Sequence, residues 1–235
     1  MARMIIYDGI ALESVAGVMI DDINVSAIQY DTVTSQNAVI PGSVLVRNRA
    51  GTRKISITFA ILNDDMSSRQ AALMAVSAWA KSDREYMLQL PGHPDQYLMA
   101  VCTSKPNPSL RQWWETLTLV FTCFDNPFWN DLIEKSIACG TAFNVLGDAP
   151  PLMRIERTVS GSAASNQSYA LDGNTMTFST IPVGNMTIDL NKQIAYVGST
   201  DIMQYYNVNS KFIIPRTGSQ TITGTGTVKY RERYE

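Results

Sequence analysis

The sequence has few of the side chains that usually carry enzyme chemistry or bind metals. Among 235 residues it contains one histidine, His93, and three cysteines, Cys102, Cys123 and Cys139. The cysteines are odd in number and lack metal-ligand spacing, so reduced, packed thiols are expected in place of a disulfide framework. His93 lies in a Pro-Gly-His-Pro-Asp segment without a Ser or Cys nucleophile. We therefore interpret it as a solvated turn residue and not as a catalytic base.

Charge is also scarce. Asp, Glu, Lys and Arg make up 17% of the chain, whereas an average globular protein has roughly 25%. The formal net charge of −2 argues against a general nucleic-acid binder, which is usually strongly basic. No stretch approaches the ~20 uninterrupted apolar residues of a membrane span, and the first apolar run ends too early for a signal peptide. We expect a protein made in a cytoplasm, with no specific nucleic-acid partner and no membrane insertion.

Motifs for cofactors and catalysis are missing as well. No Gly-x-Gly-x-x-Gly opens a helix, so a phosphate cradle is not expected. Asp189 has no run of oxygen donors beside it, as a Ca²⁺ site requires, and we expect it to make a turn or strand-end hydrogen bond. Asp64 and Asp65 precede a helix. The sequence assigns no catalytic, cofactor-binding or metal-binding residues, and it predicts no cofactor and no enzymatic activity.

β-Structure dominates what is present. Around residues 117–130, Leu117, Leu119, Phe121 and Cys123 alternate with Thr118, Val120 and Thr122, which is typical of a half-buried strand. The Asp-Asn-Pro turn at 125–127 ends this strand. Because a compact domain closes here, we predict an N-terminal domain over 1–130, a connection over 131–150 and a C-terminal domain over 151–235.

One amphipathic helix is predicted, over about residues 67–82. Ser67 and Gln70 match a capping box. We interpret Trp79 as a core residue, and a ligand-stacking ring is the less favoured alternative. The predicted buried stripe consists of Ala72, Val76, Trp79 and Ala80, with Leu73 beside it.

Other N-terminal patterns predict strands and surface segments. Residues 44–62 indicate strand, turn and strand, with Ala50 and Gly51 at the apex. Residues 32–43 form a polar loop or arm that ends at Pro41 and Gly42. Trp113 and Trp114 are adjacent, so on a strand one ring is expected in the core and the other at a surface or interface.

The C-terminal half is predicted to be a β-sandwich or jelly roll, because it contains many short strands at nearly even spacing. Asp172-Gly173 is its strongest hairpin signal. The Gly-Asp-Ala-Pro-Pro sequence at 147–151 predicts a rigid bend. The predicted strands are 152–159, 169–171, 175–178, 186–189, 194–197, 212–214, 220–223 and 227–231.

The order of these features resembles the distal tail protein (Dit) family of long-tailed, non-contractile phages. The resemblance rests on Arg-Ala-Gly-Thr-Arg-Lys-Ile-Ser-Ile-Thr-Phe (49–59), on the capped helix that ends near Trp79, and on Phe-Thr-Cys-Phe-Asp-Asn-Pro-Phe-Trp (121–129). In the C-terminal half it rests on residues 186–198 and 226–234. Each motif is a β-propensity or turn pattern. The specificity of the resemblance comes from the order of the motifs over nearly the whole chain.

This resemblance implies a mainly β protein with two β-sandwich-type domains, of which the C-terminal one is galectin-like. It further implies a structural role in the virion, at the phage tail tip, with assembly in the bacterial cytoplasm. Six copies would form a ring, a homohexamer, that joins the tail tube protein and the tape measure protein to the tail-tip or receptor-binding proteins. Low charge and exposed sheet edges agree with assembly.

A carbohydrate-binding module is the alternative function, because galectin-like sandwiches bind sugars on a concave sheet with a stacked aromatic ring. The C-terminal half, however, contains neither Trp nor His. Binding of glycans by this half would favour the alternative.

Overall fold

The computed structural model describes residues 4–15, 17–36, 43–63, 65–105 and 116–235. For residues 35, 36 and 43–48 it describes the backbone alone. The chain divides into two compact units, one containing the residues up to Trp129 together with Glu235, the other Asn130–Tyr234. Antiparallel sheets make up most of the structure, accompanied by one α-helix in the described ranges. The predicted mainly β class is confirmed.

The first unit is built around two antiparallel sheets that share one long strand, β8. One sheet has the order β3-β6-β9-β8, and the other has the order β8-β7-β1-β2. The strands are β1 (Ile6–Tyr7), β2 (Ile10–Ala11), β3 (Val18–Val25), β4 (Tyr30–Gln36), β5 (Ser43–Ala50), β6 (Arg53–Ile61), β7 (Tyr86–Leu90), β8 (His93–Ser104) and β9 (Thr116–Cys123), and the helix α1 (Met66–Trp79) follows β6.

The sequence alternation in β9 and β6 corresponds to burial. Leu117, Leu119, Phe121 and Cys123 are buried, while Thr116 and Thr118 are exposed, which confirms the predicted face. In β6 the buried residues alternate in the same way, because side chains two apart share one face of a sheet. The strand β9 ends at Cys123, directly before the predicted turn.

Tyr7 occupies the aromatic centre of the first unit. Its buried ring lies 5.0 Å from Phe121 and 5.4 Å from Trp79, measured between ring centroids. The hydroxyl group donates to the carbonyl oxygens of Lys81, at 3.0 Å, and Ala100, at 3.1 Å. Burial raises the pKa of Tyr7 far above its ordinary value. The hydroxyl therefore stays protonated and keeps its donor role.

The helix α1 begins one residue earlier than the sequence predicts. Asp65 is its N-cap, and its carboxylate accepts from the Ser68 N–H at 2.7 Å and from the Ser67 hydroxyl at 2.6 Å. These bonds hold the pKa of Asp65 well below its usual range. The predicted capping box of Ser67 and Gln70 is wrong, because the stronger acceptor at 65 already occupies the first N–H groups.

The buried face of α1 is the predicted one. Val76 and Ala80 are fully buried, Ala72 and Trp79 nearly so. The indole N–H of Trp79 donates to the Ile10 carbonyl at 2.8 Å, which satisfies the only polar atom of the ring. Trp79 is therefore a core residue. No helix in the described ranges is both long and apolar enough to span a bilayer.

Strand pairing around β5 differs from the prediction. The chain does reverse at Gly51, but β5 pairs with β4, whereas β6 pairs with β3 and β9. The Gly51 N–H donates to the Gln29 carbonyl at 2.7 Å, and a Cβ at 51 would lie 2.7 Å from that oxygen. The predicted loop over 32–43 is strand as far as Gln36, and Pro41-Gly42 lies outside the described residues.

The second unit is a β-sandwich. One sheet has the order β11-β20-β13-β16-β17-β18, and the other consists of the pairs β14-β15 and β12-β19 with a bridge between Ala170 and Thr223. The strands are β10 (Trp129–Asp131), β11 (Lys135–Ala138), β12 (Phe143–Val145), β13 (Ala149–Val159), β14 (Ala164–Leu171), β15 (Asn174–Ile181), β16 (Gly184–Asp189), β17 (Ile194–Val197), β18 (Thr200–Asp201), β19 (Gly218–Gln220) and β20 (Thr227–Tyr234).

The core of the second unit is shared by both sheets. Ile155 and Val228 of the first sheet and Met176 and Phe178 of the second are fully buried and belong to one apolar cluster. Asp172-Gly173 closes the hairpin of β14 and β15 with φ angles of 50° and 80°. Positive φ at both central residues is the requirement of a type I′ turn, so this predicted hairpin is confirmed.

Three features of the second unit correct the sequence interpretation. Residues 131–150 are not a connection, since β11 pairs with β20 and β12 pairs with β19 inside the unit. The prolines at 150 and 151 do not form a bend, because they lie in β13 at a bulge that needs no ladder donor. Residues 212–214 form no strand, and Ile213 is apolar because it is fully buried in the core.

Candidate assembly surfaces

The described side chains that could act in catalysis or metal binding do not cluster at one site. His93 begins β8 and is exposed, its Nδ1 lies 3.0 Å from Gln96 Oε1, and its ring stacks on buried Trp129 at 4.0 Å. It is therefore a strand residue and not a turn residue. Asp189 accepts from the N–H groups of Asn191 and Lys192, both at 3.0 Å, as a strand-end residue does. This confirms the predicted role of Asp189.

The three cysteines are separate, free thiols, with Cys102 and Cys123 buried and Cys139 partly buried. Burial raises the pKa of the Cys123 thiol to about 12, so it is unreactive at neutral pH. In the described part of the chain, no group of three His, Cys, Asp or Glu side chains is placed to hold a metal ion. Asp64, Trp113 and Trp114 lie outside the described residues. The geometry of the described residues directs attention to surfaces that could serve in assembly.

The most distinctive surface element is the hairpin of β4 and β5. Within the described ranges, these strands pair only with each other. Val33 is 51% exposed and Tyr30 is 42% exposed. A two-stranded hairpin is only marginally stable in water unless it packs on something else. The hairpin therefore suits a contact with another chain.

The base of this hairpin is hydrogen-bonded to the side chain of Glu235. The Tyr30 hydroxyl donates to the Glu235 carboxylate at 2.5 Å. Next to this pair Arg53 is 5% exposed, and its Nε and Nη1 atoms have no hydrogen-bond partner among the described residues. Burial lowers the pKa of Arg53, against the opposing effects of Cys123, Glu235 and Tyr30. The side-chain carboxylate of Glu235 therefore compensates part of the cost of a buried guanidinium group.

The second surface is the open edge of β3. Within the described part of the chain, this strand pairs with β6 alone. Its other side borders a groove of about 630 Å³ that is lined by Val18–Ile23 together with Glu13, Pro91 and Gly92. Met19 is 49% exposed there. An open edge offers unpaired backbone donors and acceptors to another strand.

The third surface is the outer face of α1. Met66 and Met74 are 64% and 68% exposed, and Ala71, Ala75 and Ala78 are exposed beside them. Flexible methionines on a helix are adaptable contact residues. This face adds apolar area to the same unit that carries the hairpin and the open edge.

The second unit presents a different kind of surface. Arg154 on β13 donates to both oxygens of Glu134, at 2.6 and 2.9 Å, and to Glu156 at 2.7 Å. Lys229 on β20 reaches the other oxygen of Glu156 at 2.7 Å. Of these ion pairs, Glu156 with Lys229 joins the paired strands β13 and β20. The charges satisfy one another, so this face offers little to an apolar partner.

An exposed ring for sugar stacking is absent from the second unit. Its Phe and Tyr side chains are all buried or partly buried, and Tyr206 packs against Phe178 and Phe212. A polar cleft of about 380 Å³, lined by Thr175, Thr177, Asn207 and neighbouring residues, is open and contains no aromatic ring. Nothing in this geometry favours the carbohydrate-binding alternative.

The comparisons with known proteins add a match in fold. No protein-family model matches the sequence, and neither does any curated protein. Among solved structures, the chain is similar to the Dit protein (gp 19.1) of phage SPP1, which is described as a paradigm of the hub adsorption apparatus in phages that infect Gram-positive bacteria. The TM-score is 0.77 at 15% identity, and the match covers 100% of both chains. It is also similar to a chain of the phage p2 baseplate in its activated conformation with Sr, with a TM-score of 0.50 at 9% identity over 99% of this chain and 98% of the other. The chain therefore has the fold of SPP1 Dit from end to end.

Proposed function

We propose, on the premise of this shared fold, that the protein is a structural component of a phage tail tip and has no enzymatic activity. The observation that carries the proposal is the match to SPP1 Dit over the full length of both chains. The surfaces support it, because the first unit has three assembly elements and no organised reaction centre among its described residues.

Within that role, six copies form a closed ring around one axis. A ring requires a heterologous contact, in which one face of each copy meets a different face of its neighbour. The first unit has such a pair of unlike faces in the hairpin and the open edge of β3. The ring joins the tail tube protein and the tape measure protein to the tail-tip or receptor-binding proteins in the virion, after assembly in the bacterial cytoplasm. The second unit is the galectin-like appendage.

Negative-stain imaging and native mass spectrometry of the full-length protein test this proposal directly. The expected result is a ring with a central hole and a mass close to six times 26.0 kDa. A protein that stays monomeric over a wide range of concentrations would contradict the ring.

Two shorter chains separate the roles of the units. The fragments 1–129 and 130–235 follow the two compact units, and the second fragment keeps β11 and β12 together with their partner strands. Light scattering should show self-association of the first fragment and not of the second. The reverse pattern would show that the second unit, and not the first, forms the ring.

A further inference from the structure

The hairpin of β4 and β5 is attached to the rest of the first unit through a short junction. At its base Tyr30, the first residue of β4, lies opposite Ala50, the last residue of β5. Directly beyond this pair, the Gln29 N–H donates to the Thr52 carbonyl at 2.8 Å, and the Thr52 hydroxyl donates to Gln29 Oε1 at 3.2 Å. Within the described ranges no further strand pairs with the hairpin. Its orientation therefore depends largely on contacts at this junction.

A buried cation lies at the same junction. Arg53 begins β6, on the buried face of the strand that Ile55 and Ile57 continue. It is 5% exposed, and Nε and Nη1 have no hydrogen-bond partner among the described residues. Burial disfavours the charged form and lowers the pKa of Arg53. Because a buried, poorly paired charge costs free energy, a negative charge beside Arg53 stabilises the folded junction.

The Glu235 side chain provides such a charge and contacts the hairpin as well. Its carboxylate accepts from the Tyr30 hydroxyl at 2.5 Å, and its negative charge favours the charged form of Arg53. Tyr30 is 42% exposed, so water could satisfy its hydroxyl in the absence of Glu235. The hydrogen bond is therefore not needed to satisfy a buried group, and its effect is to fix the position of Tyr30 beside the buried cation.

We infer that the Glu235 side chain is a latch that holds the β4–β5 hairpin in one orientation, by joining Tyr30 at the base of the hairpin to Arg53 at the start of β6. Opening the latch removes the hydrogen bond and the counter-charge together, so it costs more than an isolated surface hydrogen bond. A two-stranded hairpin has little stability of its own, and without the latch its backbone amides open to solvent more often. The latch acts within one chain, so it does not depend on the proposed ring.

Hydrogen exchange of the full-length protein tests the latch. Glu235→Ala removes both interactions and should speed the exchange of the β4 and β5 amides about tenfold or more, because a hydrogen bond to a charged group is worth at least that factor. Amides of β6 and β9 should keep their rates. The matched control is Asp95→Asn, which removes an exposed carboxylate of β8 outside the junction and should leave the hairpin rates unchanged.

The variants are compared at a concentration at which native mass spectrometry gives all of them the same oligomeric state. Unchanged hairpin rates in Glu235→Ala would overturn the latch. Equally faster exchange in β6 and β9 would also overturn it, since Glu235 would then support the whole unit and not the hairpin. If Asp95→Asn has the same effect as Glu235→Ala, overall charge is the cause and the latch is wrong.

Limited trypsin digestion gives a second readout, because Arg47 and Arg49 in the sequence of β5 are cleavage sites. Cleavage there should also be about tenfold or more faster in Glu235→Ala, and an unchanged rate would contradict the release of the hairpin.

A double-mutant cycle separates the charge from the hydrogen bond. Glu235→Gln keeps an acceptor for Tyr30 but removes the charge, so it should speed hairpin exchange in the natural chain. In a chain that carries Arg53→Met the same change should have an effect of less than about twofold, because no buried cation remains to be compensated. Circular dichroism at the helix band checks that the Arg53→Met chain is folded. An equal effect of Glu235→Gln in both chains would show that the latch does not act through Arg53.

Discussion

The two units cover their sheets in different ways. In the first unit, α1 lies over the sheet, and a few large side chains, including Tyr7, Trp79 and Phe121, meet in one aromatic cluster. In the second, one sheet covers another, and burial is spread over aliphatic, methionine and aromatic residues from many strands. The largest buried rings of the first unit are therefore concentrated in one cluster, whereas the buried side chains of the second are spread over many strands.

The units also differ in how they use their edges and charges. In the first unit, β3, β4 and β5 each have an edge that pairs with no other described strand. Such edges make a monomer prone to aggregation, but they offer backbone pairing to an assembly. In the second, ion pairs form between neighbouring strands, as between Glu156 of β13 and Lys229 of β20. This contrast explains why we assign the ring to the first unit and the appendage to the second.

The largest expected effect is the loss of stability on changing Trp79 to Ala. The ring is 6% exposed and contacts both Tyr7 and Phe121, so its removal should lower the free energy of unfolding by about 3–5 kcal/mol. Circular dichroism at the helix band reports on the first unit, because α1 lies there. Met74→Ala, on the exposed face of the same helix, is the control. An equal effect of both changes would show that α1 packs by another face.

A smaller effect is expected at Glu232 in the second unit. Its carboxylate is 2% exposed and accepts from the Leu146 N–H at 2.9 Å, from Lys135 at 2.8 Å and from the Tyr234 hydroxyl at 3.0 Å. Glu232→Gln keeps the shape but removes the charge, and we expect a loss of about 1.5–3 kcal/mol at pH 7. Urea unfolding of both proteins measures the difference. Ser136→Ala, on an exposed position of β11, is the control.

The same residue predicts a pH dependence. Burial alone would raise the pKa of Glu232, but the hydrogen bonds from Leu146, Lys135 and Tyr234 outweigh it, so the pKa falls below its ordinary value of 4.5. A carboxyl group with a lowered pKa contributes stability that is fully present above 4.5 and is lost as the pH falls through its folded value. The gap between wild type and Glu232→Gln should therefore narrow below pH 4.5. A constant gap from pH 7 to pH 3 would contradict this account.

A still smaller effect is expected at the N-cap of α1. Asp65→Ala removes the acceptor for the Ser67 hydroxyl and the Ser68 N–H, so it should lower the melting temperature measurably. Ser67→Ala, the cap predicted from sequence, should lower it less because the Ser68 N–H keeps its acceptor. If Ser67→Ala is the more damaging change, the capping assignment must be reversed.

The least perturbing test concerns the cysteines. Thiol titration of the denatured chain without reductant should give close to three groups per chain, since all three are free. In the native protein Cys139 should react first, because it alone is partly exposed, and Cys123 last, because burial raises its pKa to about 12. One thiol per denatured chain would reveal a disulfide.

Local patterns in the sequence predict much of this fold. The alternation in β9 predicts its buried face, and the dipeptide Asp172-Gly173 forms the predicted turn with positive φ angles at both residues. Local patterns do not predict which strands pair, because pairing depends on residues that are distant in the sequence. A strand at 53–61 follows from its residues, but its pairing with β3 and β9 instead of β5 depends on the whole sheet.

The candidate surfaces were harder to predict for the same reason. The polar segment around 32–43 gave a signal for an arm, but the open edge of β3 is visible only once every other strand has its partners. The stack of His93 on Trp129 joins residues 36 positions apart, without a local motif. The buried stripe of α1 could be predicted because it depends on helical spacing alone, whereas the helix ends at Trp79, before the predicted end at about residue 82.

The placement of Tyr7 has a consequence for the order in which the chain can fold during synthesis. The strand β1 pairs with Leu88 and Gln89 of β7, and the Tyr7 hydroxyl needs the carbonyl groups of Lys81 and Ala100. The two carbonyl partners of Tyr7 are 74 and 93 residues further along the chain, so at about 5–20 residues per second the ribosome makes the second of them on the order of 5–20 s after Tyr7. The strand β1 is therefore synthesised well before it can complete its contacts, and its apolar side chains stay unburied until then.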